Sequence, residues 1–298
     1  MTDLASPRSL DHLVLPVEDI QQARKRYKLL GFTVAPDGHH PFGTENCCIF
    51  LADGTFLEPL GIAQRETCEA WAKRGHAFIA NDQAFRFRRG AEGFSHMVLK
   101  SNDAKADHRL FKSNGISAGE LVRFSRESRD REGNASQTSF ALAFAADRRS
   151  PDSGFFTCQV TTPAKIDRSA LQTHENGALA LKEVILSEVN PTDFQYFFQD
   201  LLNQREMDVD SFGMSFDVNG AKVSVLTPDG MQAFYGIDCF RAERGMHFEA
   251  AILQVKDLEH TKNLLAANEI DFVDRPGRLL VGPAAGQATT LILEETSS

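Results

Sequence analysis

Leu10-Asp11-His12-Leu13-Val14-Leu15-Pro16-Val17-Glu18-Asp19 is an apolar strand followed by a helix cap, and it recurs along the chain. Phe94-Ser95-His96-Met97-Val98-Leu99-Lys100-Ser101-Asn102-Asp103 repeats it with His on His and Asp on Asp. Phe248 to Asp257 repeats it again with Ala250 at the histidine place, and Lys182 to Pro191 is a fourth, weaker copy with Val184 there. An internal repeat constrains the architecture more than any single element does.

The segments after each copy also match. Asp19 and Asp103 can cap helices that stop at Gly31 and Gly115, where a left-handed residue is expected. Thr192 to Asn203 and Leu258 to Asn268 carry helical apolar spacing in the same place. Strand pairs come next, joined at Asp53-Gly54 and Asn219-Gly220, dipeptides that suit tight hairpins. Gly154 and Gly286 open the last strands of the second and fourth copies. Each unit therefore reads β-α-β-β-β, at about 8–62, 94–163, 180–228 and 246–295. Ala63 to Gly93 falls outside the repeat as a partly helical connector, Arg126 to Asn134 reads as an exposed loop, and Asp167 to Ala178 as a polar linker.

A βαβββ unit cannot close alone. Two of them form a curled, eight-stranded open barrel, so the expected fold is α+β with two paired halves, 1–175 and 176–298. Apolar content of 42% is enough for a sizeable core. A net charge of -9 argues against a nucleic-acid partner, and Arg86, Arg88 and Arg89 read as a solvated face. No signal-like N-terminus or membrane-length apolar run is evident, and the five cysteines form no CxxC pair. Reduced thiols and a cytoplasmic location are expected, with a homodimer possible.

On period-two strands, residues of first and last strands converge in the cleft of such a barrel. The candidates are His12, His96, and Glu58 within Phe56-Leu57-Glu58-Pro59, a carboxylate in an otherwise apolar strand. A lone strand histidine is ordinarily a core or edge residue. Two at repeat-equivalent places beside a costly glutamate point instead to a metal site with open positions, suited to zinc, iron, manganese or nickel. His40 and Asn46 are expected to line the cleft and contact substrate, while His39 is solvated. Cys158 aligns with Glu58 and is either a fourth ligand or an inert thiol. His76, His108 and His260 fall in helix or connector positions and read as surface residues. The 23 phenylalanines suggest an apolar cleft wall.

Leu10 to Val14, Leu30-Gly31-Phe32-Thr33-Val34, His40-Pro41 with Gly43-Thr44-Glu45-Asn46, Phe56-Leu57-Glu58, Gly154 to Gln159 and His174 to Ala178 together resemble a known pattern. The repeat resembles the vicinal oxygen chelate superfamily of glyoxalases, bleomycin-resistance proteins and extradiol dioxygenases. The first 180 or so residues resemble bacterial glyoxalase-like domain proteins. That resemblance implies a divalent metal that chelates vicinal oxygens of a small carbonyl substrate, in a lyase or isomerase reaction. In it Glu58 is a metal ligand that also moves a proton. Two alternatives stay open: an iron-dependent extradiol-type dioxygenase, whose ligands usually lie in the C-terminal modules, and a metal-free small-molecule binding protein. Relatives of this kind commonly follow Cys-Gln with a histidine, but Val160 stands there. Either ligation has moved to His96 or the site is partly lost.

Overall fold

In a computed structural model, residues 7–129, 135–163, 169–239 and 241–295 are described. The first half runs β1 (Leu10–Pro16), α1 (Ile20–Leu29), β2 (Gly38–His39), β3 (Thr44–Asn46), β4 (Ile49–Phe50) and β5 (Phe56–Ile62). Helices α2 (Arg65–Lys73) and α3 (Ala77–Arg89) come next, then β6 (His96–Lys100), α4 (Ala104–Ser113), β7 (Val122–Arg129), β8 (Ala135–Ala145) and β9 (Gly154–Thr162). The second half runs β10 (Ala178–Ser187), α5 (Gln195–Leu202), β11 (Asp208–Asp210), β12 (Gly213–Asp217), β13 (Lys222–Leu226) and α6 (Pro228–Tyr235). It ends with β14 (His247–Val255), α7 (Leu258–Ala267), β15 (Val273–Arg275), β16 (Arg278–Val281) and β17 (Thr290–Glu295).

The caps fall where the repeat puts them. Asp19, Asp103 and Asp257 each accept a backbone N–H in the first turn of α1, α4 and α7. Asn219 and Gly220 both have positive φ, 59° and 87°, as a two-residue hairpin requires.

Each half is one curled sheet. The first has the order β2-β3-β5-β1-β6-β9-β8-β7, with β4 also on β5; the second is β11-β12-β13-β10-β14-β17-β16-β15. The first and fourth strands of the modules pair parallel, and the two modules join antiparallel through β1 and β6. The first sheet curls until its ends meet. A side chain at Gly38 of β2 would collide with Arg126 of β7, so the barrel is nearly closed.

The outward faces of both sheets and their helices share one continuous core, including Leu13, Tyr27, Phe111, Phe198 and Leu265. Phe155 of β9 packs on Phe197, Phe198 and Phe248, and Phe94 stacks on Phe248 at 4.2 Å. Polar contacts sew the same seam: Tyr27 donates to the Gln287 carbonyl at 2.9 Å, and Ser153 to that of Met246 at 2.6 Å.

Four expectations need correction. Residues 126–129 are not a loop but the end of β7, paired through Arg129 with Ala135; the rest of that segment lies outside the described residues. The expected polar linker is buried at His174 and Asn176, whose side chains bond backbone groups of β4 and of the α1 terminus. Arg86 is no solvated side chain: it bonds Asp82 and the carbonyls of Val17, Leu60 and Ala91, fixing α3 to the sheet. His108 is buried on the inner face of α4.

Replacing Phe155 by alanine should cost about 3–5 kcal/mol, because it opens a void in the seam that both halves border. In urea, Trp71 fluorescence, which reports the first half, and far-UV circular dichroism should shift together to lower midpoint. Separate midpoints for the two probes would show that the halves unfold independently.

Candidate functional site

The inner face of the first sheet carries the expected histidine and glutamate. His12 lies on β1 and Glu58 on the adjacent parallel strand β5, two positions past the residue that pairs with His12. His12 Nε2 is 3.3 Å from Glu58 Oε2, and Glu58 is 6% exposed. The β1–β6 register slips between Leu10 and His12. Such a bulge turns Asp11 to the same side as its neighbour, and its Oδ2 stands 2.8 Å from His12 Nδ1. Phe56 stacks on the His12 ring at 4.2 Å.

A third group approaches Glu58 from the turn between β2 and β3. His40 Nε2 is 3.7 Å from Glu58 Oε1, and His40 Nδ1 is 2.9 Å from Thr44 Oγ1. The turn depends on Gly43, whose φ is +98° and whose place would put a side chain 2.7 Å from the Gln64 carbonyl. Asn46 Nδ2 donates to Glu58 Oε1 at 2.6 Å. Glu58 is thus held between two imidazoles and an amide.

Electrostatics follow from burial and these contacts. Burial alone would lower the His12 pKa, but the hydrogen bonds and charges of Asp11 and Glu58 raise it to about 9. Burial would raise Glu58, but His12 and Asn46 hold it down to about 2. His40 is lowered to about 4 by burial and therefore stays neutral. Without bound metal, the site is a buried imidazolium–carboxylate pair with a neutral imidazole alongside.

His96 lies on the same inner face but does not join them. Register makes it the twofold equivalent of His12, and Phe156 the equivalent of Glu58. The Phe156 ring centre lies 5.9 Å from His12 and 5.7 Å from His96. Phe78 of α3 packs on both His96 and Phe156 at 5.9 Å. The His96 Nδ1 is 2.8 Å from Ser95 Oγ, and its buried Nε2 has no hydrogen-bond partner. The expected alignment of Cys158 with Glu58 is therefore displaced by two residues. Cys158 still lines the cleft, but burial pushes its thiol well above the usual range. Val160 sits at the mouth, 50% exposed.

The second half shows a matching register shift. Glu183, not Val184, takes the place of His12, and Ser224 that of Glu58; Ser224 donates to Glu183. Ala250 stands for His96 as expected, and α6 packs Met231 and Tyr235 onto this inner face. Among the described residues, no three His, Cys, Asp or Glu side chains are grouped closely enough to hold a metal ion as they stand.

The cleft of the first half encloses about 460 Å³. Phe50, Phe56, Phe124, Phe140 and Phe156 form its walls, and Asp11, His12, His40, Glu58 and Arg126 its charged or titratable lining. Three contributors were not singled out from sequence. Asp11 was visible beside His12, but the bulge that turns it was not. Phe78 and Arg126 came from segments read as connector and loop.

The two curled βαβββ pairs and this inner cleft define a protein of the vicinal oxygen chelate superfamily. The sequence model of the glyoxalase-like domain matches residues 10–202, and the chain belongs to that family. No curated protein matches the sequence. Among solved structures, a hypothetical protein from Staphylococcus aureus is similar with a TM-score of 0.67 and 11% identity, over 97% of this chain and all of that one. The Mn(II)-bound glyoxalase from Novosphingobium aromaticivorans has a TM-score of 0.52 and 9% identity, over 97% of this chain and 82% of that one. The 2,2',3-trihydroxybiphenyl 1,2-dioxygenase from Sphingomonas wittichii gives 0.50 and 12%, over 98% and 91%. At such identities the likeness is one of fold.

His12 gives the chelator-treated protein a defined pH response. Its folded pKa lies above the 6.5 of a free histidine, so its stabilisation is complete below pH 6.5 and lost as pH rises through about 9. His40 acts oppositely: below pH 6.5 the unfolded chain takes up a proton that the folded site refuses down to about 4, so stability falls on acidification. Urea unfolding from pH 5 to 10, compared with His12→Gln, should show the alkaline decline in wild type and not in the variant. Equal slopes would show that His12 is not held protonated.

Proposed function

We propose that this chain is a metal-dependent enzyme of lyase or isomerase type, acting on a small molecule with a carbonyl or vicinal oxygens. The observation that carries this reading is the Glu58 carboxylate between the Nε2 atoms of His12 and His40, at the base of an apolar cleft. Two donors about 2.1 Å from a common ion stand roughly 3–3.5 Å apart, which the His12–Glu58 contact meets and the His40–Glu58 contact, at 3.7 Å, does not, so an ion would have to draw His40 inward. Nitrogen, nitrogen and oxygen donors suit zinc, iron, manganese or nickel. Asp11 on Nδ1 orients His12 in the way that outer carboxylates orient ligating histidines. His40 is the second imidazole in place of His96, whose ring packs on Phe156 and Phe78 and makes no ion pair with Glu58.

When bound, a divalent ion supplies Lewis acidity at the substrate's oxygens. The protein's own groups do the rest. Glu58 is placed to take a proton from a carbon next to those oxygens, while Asp11 is engaged at His12 Nδ1 and Asn46 donates to Glu58 Oε1. Phe50, Phe56 and Phe156 exclude water around the reacting atoms.

The iron dioxygenase is the second reading, favoured by the fold shared with the trihydroxybiphenyl enzyme. Against it, the second half offers Glu183, Ser224 and Ala250 in place of the polar set of the first.

Metal analysis of untagged protein loaded with each candidate ion tests the site. About one equivalent should bind, with a loss of tenfold or more in affinity for His12→Ala and His40→Ala. His96→Ala should retain the metal. Wild-type protein that binds no ion under any loading would overturn the proposal and favour a metal-free binding protein. Oxygen uptake with a catechol by the iron form would favour the dioxygenase.

A further inference from the structure

We infer that the substrate carries a carboxylate, which Arg126 receives across the cleft from Glu58. The inference rests on the reading of this cleft as the substrate site and adds to it the chemical class that the cleft selects. Arg126 is the one cationic side chain other than histidine among the described residues that line it. Its guanidinium carbon lies 5.6 Å from the Phe140 ring centre, and its Nε is buried with no hydrogen-bond partner. A buried guanidinium donor left unpaired is costly, and an acceptor entering the cleft removes that cost.

The position is built. Phe124 and Arg126 alternate with Ser125 on β7, so the phenylalanine and the arginine share the inner face, while Ser125 pairs through its hydroxyl with Ser139. Gly38 stands against the guanidinium, and any side chain there would lie 2.6 Å from Arg126 Nη1. A residue larger than glycine there would displace the arginine. The His12 imidazolium is held by two carboxylates, Glu58 and Asp11, and is not free to receive a ligand anion. Arg126 thus supplies the positive charge toward which a ligand anion is drawn.

The anion is a carboxylate and not a phosphate. A single guanidinium fork matches a planar monoanion through two parallel hydrogen bonds. A phosphate dianion would leave a second charge uncompensated among Phe124, Phe140 and Phe156. Those rings receive an apolar, preferably aryl, body between the carboxylate and the oxygens directed to His12, His40 and Glu58.

Arg126 also closes the barrel seam, so the test must separate a seam role from recognition. Calorimetric titration of the chelator-treated protein uses 3-phenylpropanoate, its neutral amide and phenyl phosphate, so that metal binding plays no part. The acid should bind about tenfold or more tightly than the amide, and more tightly than the phosphate. Arg126→Gln should bind acid and amide alike. Arg126→Lys, which keeps the charge but loses the fork, should retain part of the preference. A seam role alone would shift the unfolding midpoint of both variants and leave the acid-to-amide ratio unchanged. That result, equal binding of acid and amide by wild type, tighter phosphate binding, or no binding of the acid at millimolar concentration would overturn the inference. Failure here with intact metal binding leaves the proposed enzyme class standing, whereas a chain that binds the acid but no metal would retain this inference and lose that one.

Discussion

A carboxylate removed from water must be compensated where it stands, and much of the first half is arranged around meeting that demand at Glu58. Asp11 is brought to His12 by a bulge, so that His12 can hold a proton against Glu58 despite burial. Asn46 spends its amide on Glu58, and the Gly43 turn delivers His40 to the other side of the carboxylate. Each of these groups would be poorly placed without Glu58. Without them, Glu58 would have no reason to be ionised inside a wall of phenylalanines.

The second half carries Glu183, Ser224 and Ala250 at the places of His12, Glu58 and His96, and the first half packs its outer face against it. Phe94 and Phe155 project from the back of the sheet that carries the cleft, into Phe197, Phe198 and Phe248. The family match ends at Leu202, the last residue of α5, whose Phe197 and Phe198 cover Phe155. The matched unit is therefore a barrel together with the helix that shields its outer face. Behind it, the inner face of the second half is occupied by Ile185, Met231, Tyr235 and Ile292.

The repeat made the fold legible, because caps, turns and period-two strands are local signals that survive duplication. His12 and Glu58 were readable as cleft residues for the same reason, and His40 from its loop before β3, whereas Asn46 lies buried against Glu58 and not in the cleft lining as expected. What the repeat could not show was register. Residues of like type at like spacing aligned Val184 with His12 and Cys158 with Glu58, whereas the hydrogen-bonded pairs place Glu183 and Phe156 there. A slip of one residue reverses the face of a strand, and a slip of two keeps the face but changes the neighbour. Arg126 and Phe78 were missed because charged or connecting segments look solvated until their long-range partners are known.

Phe156 in the place of a second glutamate makes the cleft lopsided. The two modules that build it are related by a near-twofold axis, yet beside its first-strand histidine one sets the Glu58 carboxylate and the other the Phe156 ring. A planar molecule lying between them meets unlike walls on its two sides. A proton delivered or removed by the polar wall reaches one face of the molecule, so the broken symmetry of the barrel would be written into the handedness of its product.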